Sequence, residues 1–348
     1  MIKDKKILTK LMVLVLINIV LYMGIYNNFY LYKDTIAKVE GVNGGQLTAS
    51  ILNGDDKGER IKLTNDYEDS LVYDDNYKKG NLLFVSYSEI SNSWTIIGMK
   101  RDHIIALVLL ILINLLIIFG TKQGLYTVIG LIFNILVFTL AIYLYSKGLS
   151  ILPLSIVMVI LFSCLILFLI NGKNRNTLMC IFSTLSSVFF IGVLSTIIIY
   201  FSPDIPYDFT EFMPEPHTKG EANLLLISEI LIGGLGVIMD ISVTITTCAS
   251  ELIAKDKNIK LKSLLNSCKK VADDITGTMI NVVLLTNIAA FMPIFILAIN
   301  NGFRISTIIN NNMYFETIRF LTGSIGIIIA IPLSIFIVSK FNERSKSI

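Results

Sequence analysis

Histidine is nearly missing from this chain, with His103 and His217 the only two among 348 residues. That scarcity argues against a multi-histidine metal centre within one subunit. Cysteine is scarce too: Cys164, Cys180, Cys248 and Cys268 lie in or beside apolar stretches, with no C-x-x-C pair and no histidine nearby in sequence. Neither a disulfide framework nor a zinc site fits that pattern. Charged residues make up only 16% and the net charge is +3. The basic residues collect in short stretches between apolar runs, not on one aromatic-interleaved surface, so nucleic-acid binding has no support. There is no phosphate-cradling P-loop and no serine nucleophile elbow, which leaves no sequence basis for ATP-driven work, serine hydrolysis or a bound cofactor.

What the chain has in excess is apolar residues, at 54%, with a mean hydropathy of +0.71. This is the composition of a polytopic membrane protein. Apolar runs occupy about 11–26, 104–119, 124–145, 151–170, 178–201, 223–250, 276–299 and 317–339. Eight transmembrane helices are expected, with 104–119 a little short of the ~20 residues a bilayer requires. No small-x-small cleavage site follows the first run, so it reads as a retained helix with its amino end inside. On that arrangement the inner segments hold sixteen Lys and Arg, and the short outer loops only Lys147, Lys219 and Arg304. The positive-inside bias therefore places both termini in the cytoplasm. The preference for lysine over arginine, with abundant isoleucine and asparagine, suggests an AT-rich bacterial genome, and the expected location is then the bacterial cytoplasmic membrane.

Four regions follow: 1–26, the cytoplasmic N-terminus and first helix; 27–102, an outer domain; 103–340, a seven-helix membrane domain; and 341–348, a cytoplasmic tail. Residues 27–102 read as short strands near 35–42, 46–52, 59–63, 82–88 and 94–99. They are separated by Asn43–Gly45, Asn53–Gly58 and Lys78–Gly80, which are turn formers. Five short strands suggest a small all-β barrel of the OB or SH3-like kind. The turns at Asp55–Asp56 and Asp74–Asp75 lack EF-hand spacing and read as solvated. Trp94 reads as core or membrane-edge anchor. The outer loop 202–222 is acidic and proline-rich, and with His217 it reads as a solvated connector or a cation-gathering entrance.

The run from Glu229 to Glu251 carries the chemistry. Glu229, Asp240 and Glu251 recur every eleven residues, which is three helical turns with about 20° left over, so the three carboxylates share one face. The same face holds Gly233, Gly236, Thr244 and Thr247, with Ile, Leu, Val and Met around the rest. A carboxylate near the bilayer centre costs about 2.5–3.5 kcal/mol on insertion scales and by default marks a path for ions, protons or solutes. The alternative is a polar stripe that only holds helices together, with glycines allowing close approach. The basic stretch 255–270 reads as amphipathic and lying on the inner membrane surface. Asp273 and Asp274 then stand at the amino end of the next helix, where acids suit the dipole. Beyond them Gly277, Thr278 and Asn281 give that helix a polar side. Pro293 and Pro332 are candidate kinks, and Gly323 with Gly326 a close-packing pair.

The segments GGLGVIMDISVTITTCASEL (Gly233–Leu252) and VADDITGTMINVVLLTNIA (Val271–Ala289) resemble the paired signatures of the YibE/F-like family of bacterial membrane proteins. ILNGDDKGERIKLTN (Ile51–Asn65) is similar to a stretch that family places before its membrane part. The resemblance implies an eight-helix membrane protein, with acidic positions at Asp240 and Glu251 and an Asp-x-x-Gly-Thr-Met element at Asp274, Gly277, Thr278 and Met279. The chain departs from the pattern at Ala272 and Asp273, where members often carry Gly-Arg. No particular activity comes with the resemblance.

The site therefore carries the functional expectation: a secondary transporter or permease, coupled to an ion or proton. In that reading Asp240 binds the cation or proton. Thr244, Thr247 and Asn281 supply neutral oxygens. Glu229, Gly233 and Gly236 continue the stripe, and Glu251, Asp273 and Asp274 form the inner mouth. The expected partners are the lipid bilayer, an ion or small solute, and a second membrane subunit or further copy. The competing reading is an envelope scaffold acting through the outer β domain. An intramembrane aspartyl enzyme is a third, but it needs two carboxylates within a few ångström, and the second acids do not share Asp240's depth.

Overall fold

A computed structural model describes residues 2–67, 75–89, 92–202, 218–257 and 259–344. The expected acidic loop, with His217, falls mostly outside the described residues. The chain divides into two units, 1–121 and 122–348.

In the first unit, helix α1 (Ile2–Tyr26) leads through a short turn (Phe29–Leu31) into five strands: β1 (Thr35–Asn43), β2 (Gln46–Ile51), β3 (Arg60–Thr64), β4 (Leu82–Ser88) and β5 (Ser93–Met99). Each begins and ends within about a residue of its expected position. They form one antiparallel sheet in the order β3-β2-β1-β4-β5, and the edge strands β3 and β5 lie against each other. The β1–β2 turn is closed by Gly44 (φ 52) and Gly45 (φ 84), the left-handed pair that a tight hairpin demands. Alternation sets the faces: Ile61 and Leu63 point inward and Arg60 and Lys62 outward. The inward set, with Val39, Leu47, Ala49, Ile51, Leu83 and Val85, is the core. Trp94 packs against that core and edge-on to Tyr87.

Helix α2 (Asp102–Ser146) follows. Its backbone is non-helical at Thr121 (φ 50, ψ −121), so the two expected runs 104–119 and 124–145 are two helical halves. At its start the Lys100 side chain is fully buried, with its ammonium bonded to both Asp102 carboxylate oxygens at 2.7 and 2.9 Å and to the Ile25 carbonyl at 3.3 Å. The ammonium also sits over the Phe29 and Tyr32 rings. Asp102 in turn accepts from the Tyr32 hydroxyl at 2.8 Å.

The second unit contains the rest of α2, then α3 (Ile151–Asn171), α4 (Arg175–Phe201), α5 (Lys219–Lys255), α6 (Leu261–Asn300), the single turn α7 (Ile305–Thr307) and α8 (Tyr314–Arg344). α5 is central, packed against α3, α4, α6 and α8. Among the described residues six helices are long and apolar enough to cross a membrane: α2, α3, α4, α5, α6 and α8. The apolar part of α1, Leu14–Tyr26, is shorter.

One expectation changes, the start of α6: from Leu261 the basic stretch is the first three turns of that helix, amphipathic as expected, with Leu264 and Cys268 buried and Lys262, Lys269 and Lys270 exposed. Asp273 and Asp274 consequently lie in the fourth turn of a 40-residue helix, too far from its amino end for the dipole to matter. α6 and α8 continue past Pro293 and Pro332.

Candidate functional site

α5 starts at a reciprocal cap: the Glu221 amide donates to Thr218 Oγ1, and the Thr218 amide donates to Glu221 Oε2 at 2.9 Å. Its 37 residues contain no proline. Leu231, Leu235, Ile238, Ile241, Ile245 and Ala249 are buried among the surrounding helices. The remaining face is the acidic stripe. Gly233, Gly236, Asp240, Thr244, Thr247 and Glu251 are all exposed, and Glu229 is partly buried. A Cβ built on Gly233 or Gly236 would meet no atom within 4 Å. The spacing thus identified a common face, and from Gly233 to Glu251 no helix among the described residues covers it. Glycine-mediated packing of the stripe inside this unit is therefore overturned.

Asp240 lies near the middle of α5 and forms no ion pair among the described residues. One turn on, Thr244 Oγ1 donates to the Asp240 carbonyl at 2.9 Å, which leaves the hydroxyl oxygen able to accept or coordinate. On α6, Ile275, Met279, Ile280 and Val283 pack toward the core, while Asp273, Asp274, Gly277, Thr278 and Asn281 are exposed. Asn281 spends its amide donor on the Gly277 carbonyl at 2.8 Å and keeps its carbonyl oxygen as an acceptor. Both helices present these residues away from the bundle core.

Glu229 has a different role, which depends on a residue the sequence reading missed. Arg319 on α8 bonds to Glu229 and to Glu316, one turn before it. Its Nε and Nη2 also donate to Asn287 Oδ1 on α6, at 3.0 and 2.8 Å. One guanidinium thus joins α5, α6 and α8, using the fork geometry that only arginine offers. A signal was present: an arginine within an apolar run is costly enough to require a partner. At the other end of α5, Glu251 lines a cavity of about 410 Å³ with Arg175, Asn176, Ser250, Lys257 and Asn342. Asp273 and Asp274 are not in that lining, so the three acids do not share one mouth there.

These features divide the acids chemically. Glu229 is held by a cation of the protein itself, Glu251 sits at a polar cavity, and Asp240 stands on an open face with hydroxyl oxygens one and two turns away. Among the described residues no group of three His, Cys, Asp or Glu side chains is arranged to hold a metal ion. In comparisons with known proteins, a family model described as YibE/F-like protein matches residues 108–344. A second, the YibE/F family N-terminal domain, matches residues 30–99. Neither the curated proteins nor the solved structures give a match. With the two parts matched in order over most of its length, the chain belongs to the YibE/F-like family.

Proposed function

We propose that the protein is a secondary membrane transporter or permease, coupled to an ion or proton, whose path follows the open face of α5. The observation that carries this reading is Asp240: a carboxylate at mid-length of a membrane-length helix, without an ion pair among the described residues, on a stripe that runs from Gly233 to Glu251. Such a group is costly against lipid, and bordering an aqueous path removes that cost. The polar side of α6, with Thr278 and Asn281, adds neutral oxygens. A further copy of the chain or a second membrane subunit is proposed to supply the opposite wall, because the stripe is open in the second unit taken alone.

The finer architecture belongs to the same proposal. The kink in α2 and the inclusion of α1 bring the spans to eight, with both termini inside a bacterial cytoplasmic membrane. The sheet order and the approach of β3 to β5 support an outer barrel of the OB kind. The competing reading, an envelope scaffold working through that barrel, leaves the stripe as mere helix contact. The two are separated by labelling Thr244→Cys, Thr247→Cys and Gly236→Cys variants in liposomes with a charged, membrane-impermeant thiol reagent. Labelling well above that of Phe189→Cys, an exposed apolar position on α4, supports the path. Labelling no greater than that control removes it.

A further inference from the structure

The buried side of α5 holds a second polar row. Ser242 and Thr246 are fully buried, and together with Ser250 they follow one another at four-residue intervals. The Ser242 and Ser250 hydroxyls make no hydrogen bond, not even to the carbonyl four residues back, a bond that Thr244, Thr286 and Thr322 all make; the Thr246 hydroxyl lacks that bond too and has the Cys180 thiol as its neighbour. Thr184 Oγ1 on α4 is equally buried and equally without a partner. An unpartnered buried hydroxyl costs about 1–3 kcal/mol, and native proteins rarely keep several close together unless something satisfies them.

The pairing of α4 with α5 arranges these groups. The two helices run antiparallel, with Gly192 against Leu231, the Cys180 thiol beside Thr246, and Asn176 and Ser250 lining one cavity. This register sets Thr184 level with Ser242. Three polar rungs result, Asn176/Ser250, Cys180/Thr246 and Thr184/Ser242, each about 6 Å deeper than the last. The next rung, Val188/Ile238, is apolar and buried. The mouth of the row is the polar cavity of Arg175, Glu251 and Lys257. By contrast, the Ser183 and Ser187 hydroxyls, on the same helix, are bonded to Ser334 and to the Ser183 carbonyl. The unpartnered hydroxyls of α4 are Thr184 and, beyond the apolar rung, Ser195.

We propose that this seam is a blind, water-filled half-channel about 12 Å deep, opening at the Arg175–Glu251 cavity and closed by Val188 and Ile238. Its occupant is a short file of water molecules, each bonding two or more of the hydroxyls, which is the condition for a stable buried water. The inference is independent of the transport reading, because it concerns access of water and not flux.

The native Cys180 thiol makes it testable. In full-length protein in liposomes, with Cys164, Cys248 and Cys268 replaced by alanine, Ag⁺ added on the cavity side is used as a water-sized probe. It forms an Ag–S bond and releases the thiol proton to water, and the loss of free thiol is read after unfolding. Cys180 should be consumed. A cysteine placed by Thr184→Cys in a Cys180→Ala chain should also be consumed, and Thr246→Leu should protect it by filling the seam. A cysteine placed by Val188→Cys should remain free. If the alanine replacements disturb folding, the unmodified chain serves, with Cys180 followed by peptide mass spectrometry. An inert Cys180 in well-folded protein overturns the proposal, as does Val188→Cys reacting as fast as Cys180.

Discussion

Replacing Arg319 by methionine removes the cation that joins α5, α6 and α8. It leaves Glu229, Glu316 and the Asn287 carbonyl oxygen without their common donor. Breaking a fully buried pair costs about 3–5 kcal/mol. Here the side chains of Arg319, Glu229 and Glu316 keep 23%, 40% and 20% of their exposure, so screening lowers the figure, and about 2 kcal/mol is expected. For a unit of this size that corresponds to a melting temperature lower by about 4–8 °C. The assay is thermal unfolding of the purified protein in detergent, followed by near-ultraviolet circular dichroism. Adding Glu229→Gln and Glu316→Gln to Arg319→Met should restore much of the loss, because the uncompensated charges go with the guanidinium. Arg319→Lys should not, since an ammonium cannot reproduce the planar fork. An Arg319→Met protein as stable as the wild type would refute the reasoning, as would a triple variant no better than the single one.

Lys100→Met should destabilise the first unit by about 3 kcal/mol, because Asp102 loses its buried partner; faster limited proteolysis between residues 30 and 100 would report it. Burial, and then the bond to Asp102, pushes the Tyr32 phenol above its ordinary value. Its contribution to stability is therefore complete below about pH 10 and is lost as pH rises through the raised value, so Tyr32→Phe should flatten the alkaline limb of the stability–pH curve. Gly326→Ala should cost about 1–3 kcal/mol by overpacking, because its Cβ would fall 2.8 Å from Ile191 Cγ1 and 3.2 Å from Ile238 Cδ1. Gly233→Ala and Gly236→Ala, whose added Cβ would meet no atom within 4 Å, should melt no lower than the wild type and gain up to about 1 kcal/mol each from helix propensity; a lowered melting temperature would show that the stripe is covered.

The β strands were legible because each is bounded by turn formers, above all Asn43–Gly45, and because alternation such as Ile61 and Leu63 against Arg60 and Lys62 survives into the fold. The stripe was legible because an eleven-residue recurrence of acids in an apolar run needs no partner to be recognised. Where α6 begins was not. The lysines at 257–270 matched a surface segment as well as a helix end, and only burial of Leu264 and Cys268 decides between them. Arg319 could be seen as costly, but its partners lie 90 and 32 residues away, on helices whose packing the sequence does not state. The hydroxyl row is hidden for the same reason: Ser242, Thr246 and Ser250 acquire meaning only once α4 is set against α5 in register. Local periodicity therefore shows which face of a helix is polar, but not whether that face ends up open or enclosed.

The most direct test of the account is flux. Purified protein in proteoliposomes, loaded with pH-sensitive and cation-sensitive dyes, should dissipate an imposed proton or cation gradient faster than protein-free liposomes. Asp240→Asn, incorporated at equal density, should abolish that excess. If Asp240→Asn carries the same flux as the wild type, Asp240 is not on the path and the central claim fails.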